Sequence, residues 1–93
     1  MSSNRVVLYY SSVAGMTKIK KAQTRIQDLF AAHKVAYDLI DIAADEEAKL
    51  FMQRKSGKTV IPQIFVDGEY KGTCEELDEA NECGEALKWL GLA

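Results

Sequence analysis

The feature that most constrains this chain is the dipeptide Asp67-Gly68 inside "IPQIFVDGEYKG", residues 61–72. Asp-Gly between two β-rich runs favours the left-handed backbone of a two-residue hairpin, so Gln63–Val66 and Glu69–Lys71 are expected as an antiparallel pair. What precedes the hairpin has a different rhythm. "RVVLYY" (5–10) is a short apolar run, which reads as a strand buried on both faces. Met16, Ile19, Ala22, Ile26, Leu29, Phe30 and His33 then recur at the spacing of one helix face. "VAYDLIDI" (35–42) alternates through Val35, Tyr37 and Leu39 to Asp41, giving a second strand. Asp45 is placed to cap a helix over "EEAKLFMQRKS", which Gly57 stops. After the hairpin, "CEELDEAN" and "GEALKWLGL" read as helical, with Leu77, Ala80, Leu87, Trp89 and Leu90 as core contacts.

The order is therefore β-α-β-α-β-β-α. A strand–helix–strand unit makes its strands parallel through a right-handed crossover, while the hairpin makes the last pair antiparallel. One mixed four-stranded sheet with helices on both faces satisfies both demands, an α/β arrangement. The chain has 93 residues and neither linker nor repeat, so a single domain over 1–93 is expected.

Charge narrows the function classes. Twelve Lys and Arg against 14 Asp and Glu leave a net charge of −2, which gives no electrostatic case for nucleic acid or for a membrane surface. No apolar run is long enough to span a bilayer. The opening "MSSNRVVLYYSS" lacks the basic start and sustained apolar core of an export signal. Cys74 and Cys83 fit neither a disulfide framework nor a zinc site, and with one histidine no metal site is expected. A cytoplasmic location follows from that cysteine usage. The charges are uneven, however: "KIKKAQTR" (18–25) is basic and "CEELDEANECGE" (74–85) acidic. These are either solvated helix faces or a surface read by a partner.

The stretch "TVIPQIFVDGEYKGTCEEL" (59–77) resembles the glutaredoxin segment in which Thr-Val-Pro leads into a strand, a hairpin and a Gly-Gly-Cys-Asp-Asp-Leu helix entry. The whole topology is likewise thioredoxin-like. From the residues alone, Pro62 reads as the first position of a strand, where a missing N–H costs nothing. The resemblance implies more: a cis bond at Pro62, and an Ile61 backbone facing the cysteinyl part of glutathione. It also implies that Thr73, Cys74 and Glu75 form the turn that receives the γ-glutamyl end. Glu75 either binds the ligand's ammonium or simply complements the helix dipole. No cofactor is expected, with glutathione the one small ligand the resemblance suggests. A helix N-terminus lowers the pKa of Cys74 while Glu75 and Glu76 raise it, and both Cys74 and Cys83 are read as buried or inert.

Thioredoxin-fold oxidoreductases keep their nucleophilic cysteine in the loop between the first strand and first helix. This chain has Ser11, Ser12, Val13, Ala14, Gly15 and Thr17 there, and no cysteine from Tyr9 to Arg25. An alcohol without an adjacent base stays protonated and does not take over thiolate chemistry. No catalytic residue is therefore assigned, and the chain is read as a non-enzyme. The segments "SSVAGMTKIKKAQ", "LIDIAADEE", "PQIFVDGEYKG" and "ALKWLGL" resemble, in order, the SH3-domain-binding glutamic-acid-rich-like proteins. That resemblance implies a small cytosolic thioredoxin-fold adaptor or modulator with a protein partner. An SH3 domain is not the expected partner, because "TVIPQIF" holds one proline and PxxP needs two. Two alternatives stand beside it. One is glutathione binding with weak or no thiol–disulfide activity. The other is a small anion or phosphate at the Ser11–Thr17 loop, since "VVLYYSSVAGMTKIKKA" also resembles the flavodoxin phosphate loop. A doubly wound flavin domain needs five parallel strands, which the hairpin and the length exclude.

Overall fold

The computed structural model describes residues 5–92; residues 1–4 and 93, at the ends of the expected domain, lie outside it. The elements are β1 (Val6–Tyr10), α1 (Thr17–Ala32), β2 (Tyr37–Asp41), α2 (Glu46–Ser56), β3 (Gln63–Val66), β4 (Glu69–Gly72), α3 (Cys74–Glu82) and α4 (Ala86–Trp89). They build one mixed sheet in the order β2-β1-β3-β4. β1 runs parallel to β2, with Val6 opposite Tyr37, and antiparallel to β3, with Leu8 opposite Ile64. β3 and β4 form the hairpin, whose register shifts between Ile64 and Phe65.

Alternation along the central strands divides the core. Val6, Leu8 and Ile64 face α1, α3 and α4, where they meet Ile26, Leu29, Phe30, Leu77 and Leu90. Val7, Tyr9 and Phe65 face the other way and pack with Met52 of α2. Helices thus cover both faces of the sheet, as a sheet with two apolar sides requires. Tyr9 and Phe65 meet edge-on, their ring centroids 4.9 Å apart.

Local chemistry sets the boundaries. Asp67 (φ 54°) and Gly68 (φ 81°) both take left-handed backbone, as the two-residue hairpin turn demands. Asp45 accepts a hydrogen bond from Ala48 N–H at 3.0 Å, and Gly57 closes α2 in the left-handed region. Gly72 lies so close to Trp89 that an added Cβ would sit 2.8 Å from Cζ2 of the ring, which explains why no side chain stands there.

Some expectations need correction. Met16 does not belong to the buried stripe of α1: it is the residue before the helix and is 62% exposed. Leu39 continues the alternation of β2 yet is 44% exposed, because an edge strand has a neighbour on one side only. The final helix is short, with Leu90 buried just after its end. Of the two alternatives for Cys83, buried or inert, the first does not hold: it is exposed just past the end of α3.

Candidate functional site

A groove of about 330 Å³ opens between the start of α1, the segment before β3 and the start of α3. Ile61, Pro62, Thr73, Cys74 and Glu75, singled out on the sequence, all line it. Lys18, Ile19, Ala22 and Val60 complete the lining. The Ile61–Pro62 peptide bond is cis. A larger, shallow hollow of about 680 Å³ lies elsewhere, along Arg5, His33, Lys34 and Asp38, and includes none of the residues expected in the site.

The α3 wall is built by a capping box. Thr73 stands before the helix, its N–H and hydroxyl both donating to Glu76 Oε1, at 2.9 and 2.7 Å. Both bonds tie the residue before the helix to the carboxylate of its first turn. It commits Glu76 to structure and leaves Glu75 exposed at the rim. Burial pushes the Cys74 thiol up, Asp78 adds to that, Arg25 opposes it, and Glu75 adds a little more. The cation that would favour a thiolate is otherwise engaged: Arg25 makes two hydrogen bonds to Asp78, at 2.7 and 3.0 Å. A raised pKa keeps Cys74 a thiol near neutral pH, so it is a poor nucleophile.

The α1 side is organised differently. Ser11 N–H donates to Gln23 Oε1 at 3.0 Å, and Gln23 Nε2 donates back to Ser11 O at 3.3 Å. Ser12 N–H donates to Asp41 Oδ1 at 3.1 Å, and Val13 N–H to Ser11 Oγ at 3.3 Å. Ala14 N–H reaches Ser11 O at 3.5 Å. Ser12, through its hydroxyl first and then its N–H, holds the Asp41 carboxyl below the usual carboxylate range. Four consecutive N–H groups of the loop therefore already have acceptors, and a carboxylate stands beneath them. What the loop turns outward is apolar: Val13 is 76% exposed and Met16 62%. Met16 contributes no side-chain cap, and the first turn of α1 holds no acid. Ser11, Ser12, Val13 and Ala14 thus spend their N–H groups within the turn and on its anchors, and Gly15 and Thr17 follow it into α1.

Three anchoring residues escaped the sequence reading: Gln23, Asp41 and Gln63. Gln63 is fully buried, and its Nε2 donates to the carbonyls of Val60 (2.8 Å) and Lys58 (3.2 Å), which shapes the groove's rim. Its Oε1 has no partner among the described residues. Each was visible as a polar residue inside an apolar pattern. Gln23 sits between Ile19 and Ile26 on the helix stripe, Asp41 ends the alternation of β2, and Gln63 opens an otherwise apolar strand.

Comparison with known proteins bears on the family and the fold. The model of the family described as "SH3-binding, glutamic acid-rich protein" matches residues 4–93. The Drosophila melanogaster SH3 domain-binding glutamic acid-rich protein homolog is 34% identical over 100 residues, covering 92% of this chain and 63% of the fly protein. This chain thus spans just under two thirds of that relative. Among solved structures, the C. albicans actin interacting protein Aip5 superposes with a TM-score of 0.79 at 23% identity, over 95% of this chain and 89% of that one. A buckwheat glutaredoxin–glutathione complex gives 0.73 at 19% identity, over 97% and 79%. At these identities the structures speak for the fold, which is glutaredoxin-like. The family match and the fold together place this chain in the SH3-binding, glutamic acid-rich protein family.

Proposed function

We propose that this chain is a non-enzymatic protein-interaction module, an adaptor or modulator of the cytoplasm. It engages its partner through the loop at the start of α1 and the adjoining groove. One observation carries the reading. Where a thioredoxin-fold enzyme holds its nucleophile, this chain has a loop without a thiol, bonded to itself through Gln23 and Asp41, with Val13 and Met16 turned to solvent. Exposed apolar side chains on an ordered turn suit a docking surface better than they suit chemistry. Actin is the first partner to try, since a structure of the same fold is an actin interacting protein. An SH3 domain ranks below it, because the single proline supplies no PxxP.

The test is capture of purified actin by the immobilised chain, compared with Val13→Asp and Val60→Asp. Both substitutions fall on exposed residues, so unchanged thermal melts are expected of them. Capture by the unmodified chain that both variants lose supports the reading. Glutathione–disulfide exchange that Cys74→Ser abolishes would overturn it.

A second reading, glutathione binding, is favoured by the convergence of Ile61, Pro62, Thr73, Cys74 and Glu75 on one groove. An NMR titration with reduced glutathione checks it through shifts confined to residues 61–62 and 73–75. The same titration with inorganic phosphate examines the Ser11–Thr17 loop, where the committed N–H groups predict small shifts.

A further inference from the structure

The sheet has two edges, and they are finished differently. At β4 the outer strand carries Glu69, paired with Lys55 at 3.2 Å, and Lys71, which lies over the Trp89 ring at 5.6 Å. The register also shifts where this strand joins β3. Charges and irregularities of this kind keep an edge from pairing with another chain. β2 is the opposite case. It runs in unbroken register with β1 over five residues and holds neither Lys nor Pro. Its two acids are already engaged: Arg5 holds Asp38 at 2.7 Å, and Ser12 N–H donates to Asp41 at 3.1 Å. Ile42 N–H donates to Tyr10 O, so by alternation Asp38 and Ile40 turn their main chain to β1. Tyr37 and Leu39 therefore turn theirs outward, and the Leu39 side chain beside it is 44% exposed.

The surroundings of this strand differ in charge from end to end. At its start lie Arg5 and Lys34, on the wide hollow, and Lys34 is exposed without an ion pair among the described residues. Past its end come Asp45, Glu46 and Glu47 at the entry of α2, all exposed. A strand that is basic at one end and acidic at the other complements itself when a copy runs antiparallel. We propose that a second copy of this chain pairs antiparallel with β2 about a two-fold axis at Leu39, joining the two sheets into one. Leu39 exchanges both main-chain hydrogen bonds with its counterpart, and the two leucine side chains cover each other. Tyr37 then stands opposite Asp41 and Asp38 opposite Ile40, so no acid faces an acid. Lys34 of each copy approaches the acidic α2 entry of the other. A strand from an unrelated protein fits the open edge but not this double match, which two-fold symmetry supplies. Pairing over five residues falls short of the roughly 1,200 Å² that a stable interface buries, so the dimer is weak and reversible. The proposal is independent of the loop and groove; where these engage a partner, a dimer presents them twice.

Sedimentation equilibrium up to about 1 mM, the range of a weak interface, is expected to show a reversible monomer–dimer equilibrium. Leu39→Lys sets two lysines against each other on the edge; it should weaken the dimer at least about tenfold while the thermal melt stays unchanged. Lys34→Glu should weaken it about three- to tenfold at low salt, and added salt should remove that difference. Register is read by crosslinking in a Cys74→Ser/Cys83→Ser background. Counterpart Cα atoms at position 39 lie about 5.5 Å apart in the proposed pairing, within disulfide reach, so Leu39→Cys should link under a mild oxidant. Counterparts at position 38 stand diagonally, about 7–8 Å apart and beyond that reach, so Asp38→Cys should not. A monomer throughout the concentration range overturns the proposal, as does a dimer that Leu39→Lys leaves equally tight. Linking at position 38 as fast as at position 39 overturns it too.

Discussion

Two loops lead into the groove, and each is held by a buried glutamine. The loop after β1 is closed on itself: Gln23 uses both ends of its amide on Ser11, accepting from the N–H and donating to the carbonyl. The segment before β3 is closed on one side only. Gln63 donates to Lys58 and Val60, but its own Oε1 is buried without a partner among the described residues. The environments differ too, since Ser11 is buried whereas Lys58 and Val60 are exposed. A buried polar group that loses its partner carries the full desolvation penalty, while an exposed carbonyl turns to water. The same residue type therefore does different work in the two places. Gln23 guards a turn that cannot open cheaply, and Gln63 shapes a rim that can adjust.

The largest effect should come from breaking the closed loop. Gln23→Leu strands the Ser11 N–H and is expected to cost about 2–3 kcal/mol in urea unfolding. Gln63→Leu removes two hydrogen bonds but also the orphan oxygen, and water takes over the freed carbonyls, so about 1 kcal/mol is expected. Equal costs would dissolve the contrast between the loops.

The next effect concerns the helices that follow each region. α2 has the Asp45 cap and two first-turn acids, Glu46 and Glu47; α1 has Met16 and none. Asp45→Ala should lower stability by about 1 kcal/mol, whereas Met16→Ser should raise it by a few tenths up to about 1 kcal/mol, because Met16 already holds the extended backbone of a cap. Thermal melts of the two variants moving in the same direction would show that the α1 entry is not an open position.

A smaller, local effect follows from Asp41. Its folded pKa is depressed by Ser12, so the loop's anchoring is fully present above the ordinary carboxylate range and is lost as pH falls through the lowered folded value. The protection of the Ser12 amide, relative to its intrinsic exchange rate, should stay high at neutral pH and fall only in that acidic window. Asp41→Ala should remove it throughout. Protection in the variant equal to that of the native chain would remove Asp41 from the account.

The last prediction leaves stability untouched. Iodoacetamide near neutral pH should modify exposed Cys83 well before half-buried Cys74, whose thiol is held up by burial. Faster labelling at Cys74 would reopen thiol chemistry in the groove.

Much of the fold was legible because its signals are local. Asp67-Gly68 set the hairpin, Asp45 and Gly57 bounded α2 to the residue, and the spacing of Ile19, Ile26, Leu29 and Phe30 traced α1. Met16 and Leu39 misled for one reason: a pattern tells which side a residue takes, and only its neighbours decide whether that side is covered. Cys83, read as buried or inert, is exposed, and nothing local in the sequence distinguished the two. In the groove, Ile61, Pro62 and Thr73–Glu75 were readable through a contiguous motif. Lys18, Ile19, Ala22 and Val60 were not, since nothing local says which loop lies opposite which helix.

By itself the sequence determined the order of elements, the parallel and antiparallel pairings, and the lack of a thiol between Tyr9 and Arg25. Those follow from turn chemistry, periodicity and residue identity, none of which needs long-range contact. Only the tertiary structure decided that the loop's N–H groups face Gln23, Asp41 and Ser11, and that Lys18 and Glu75 flank one apolar cavity. Hydrogen bonding and charge act over a few ångströms, and these partners are brought within that reach only when the helices close on the sheet.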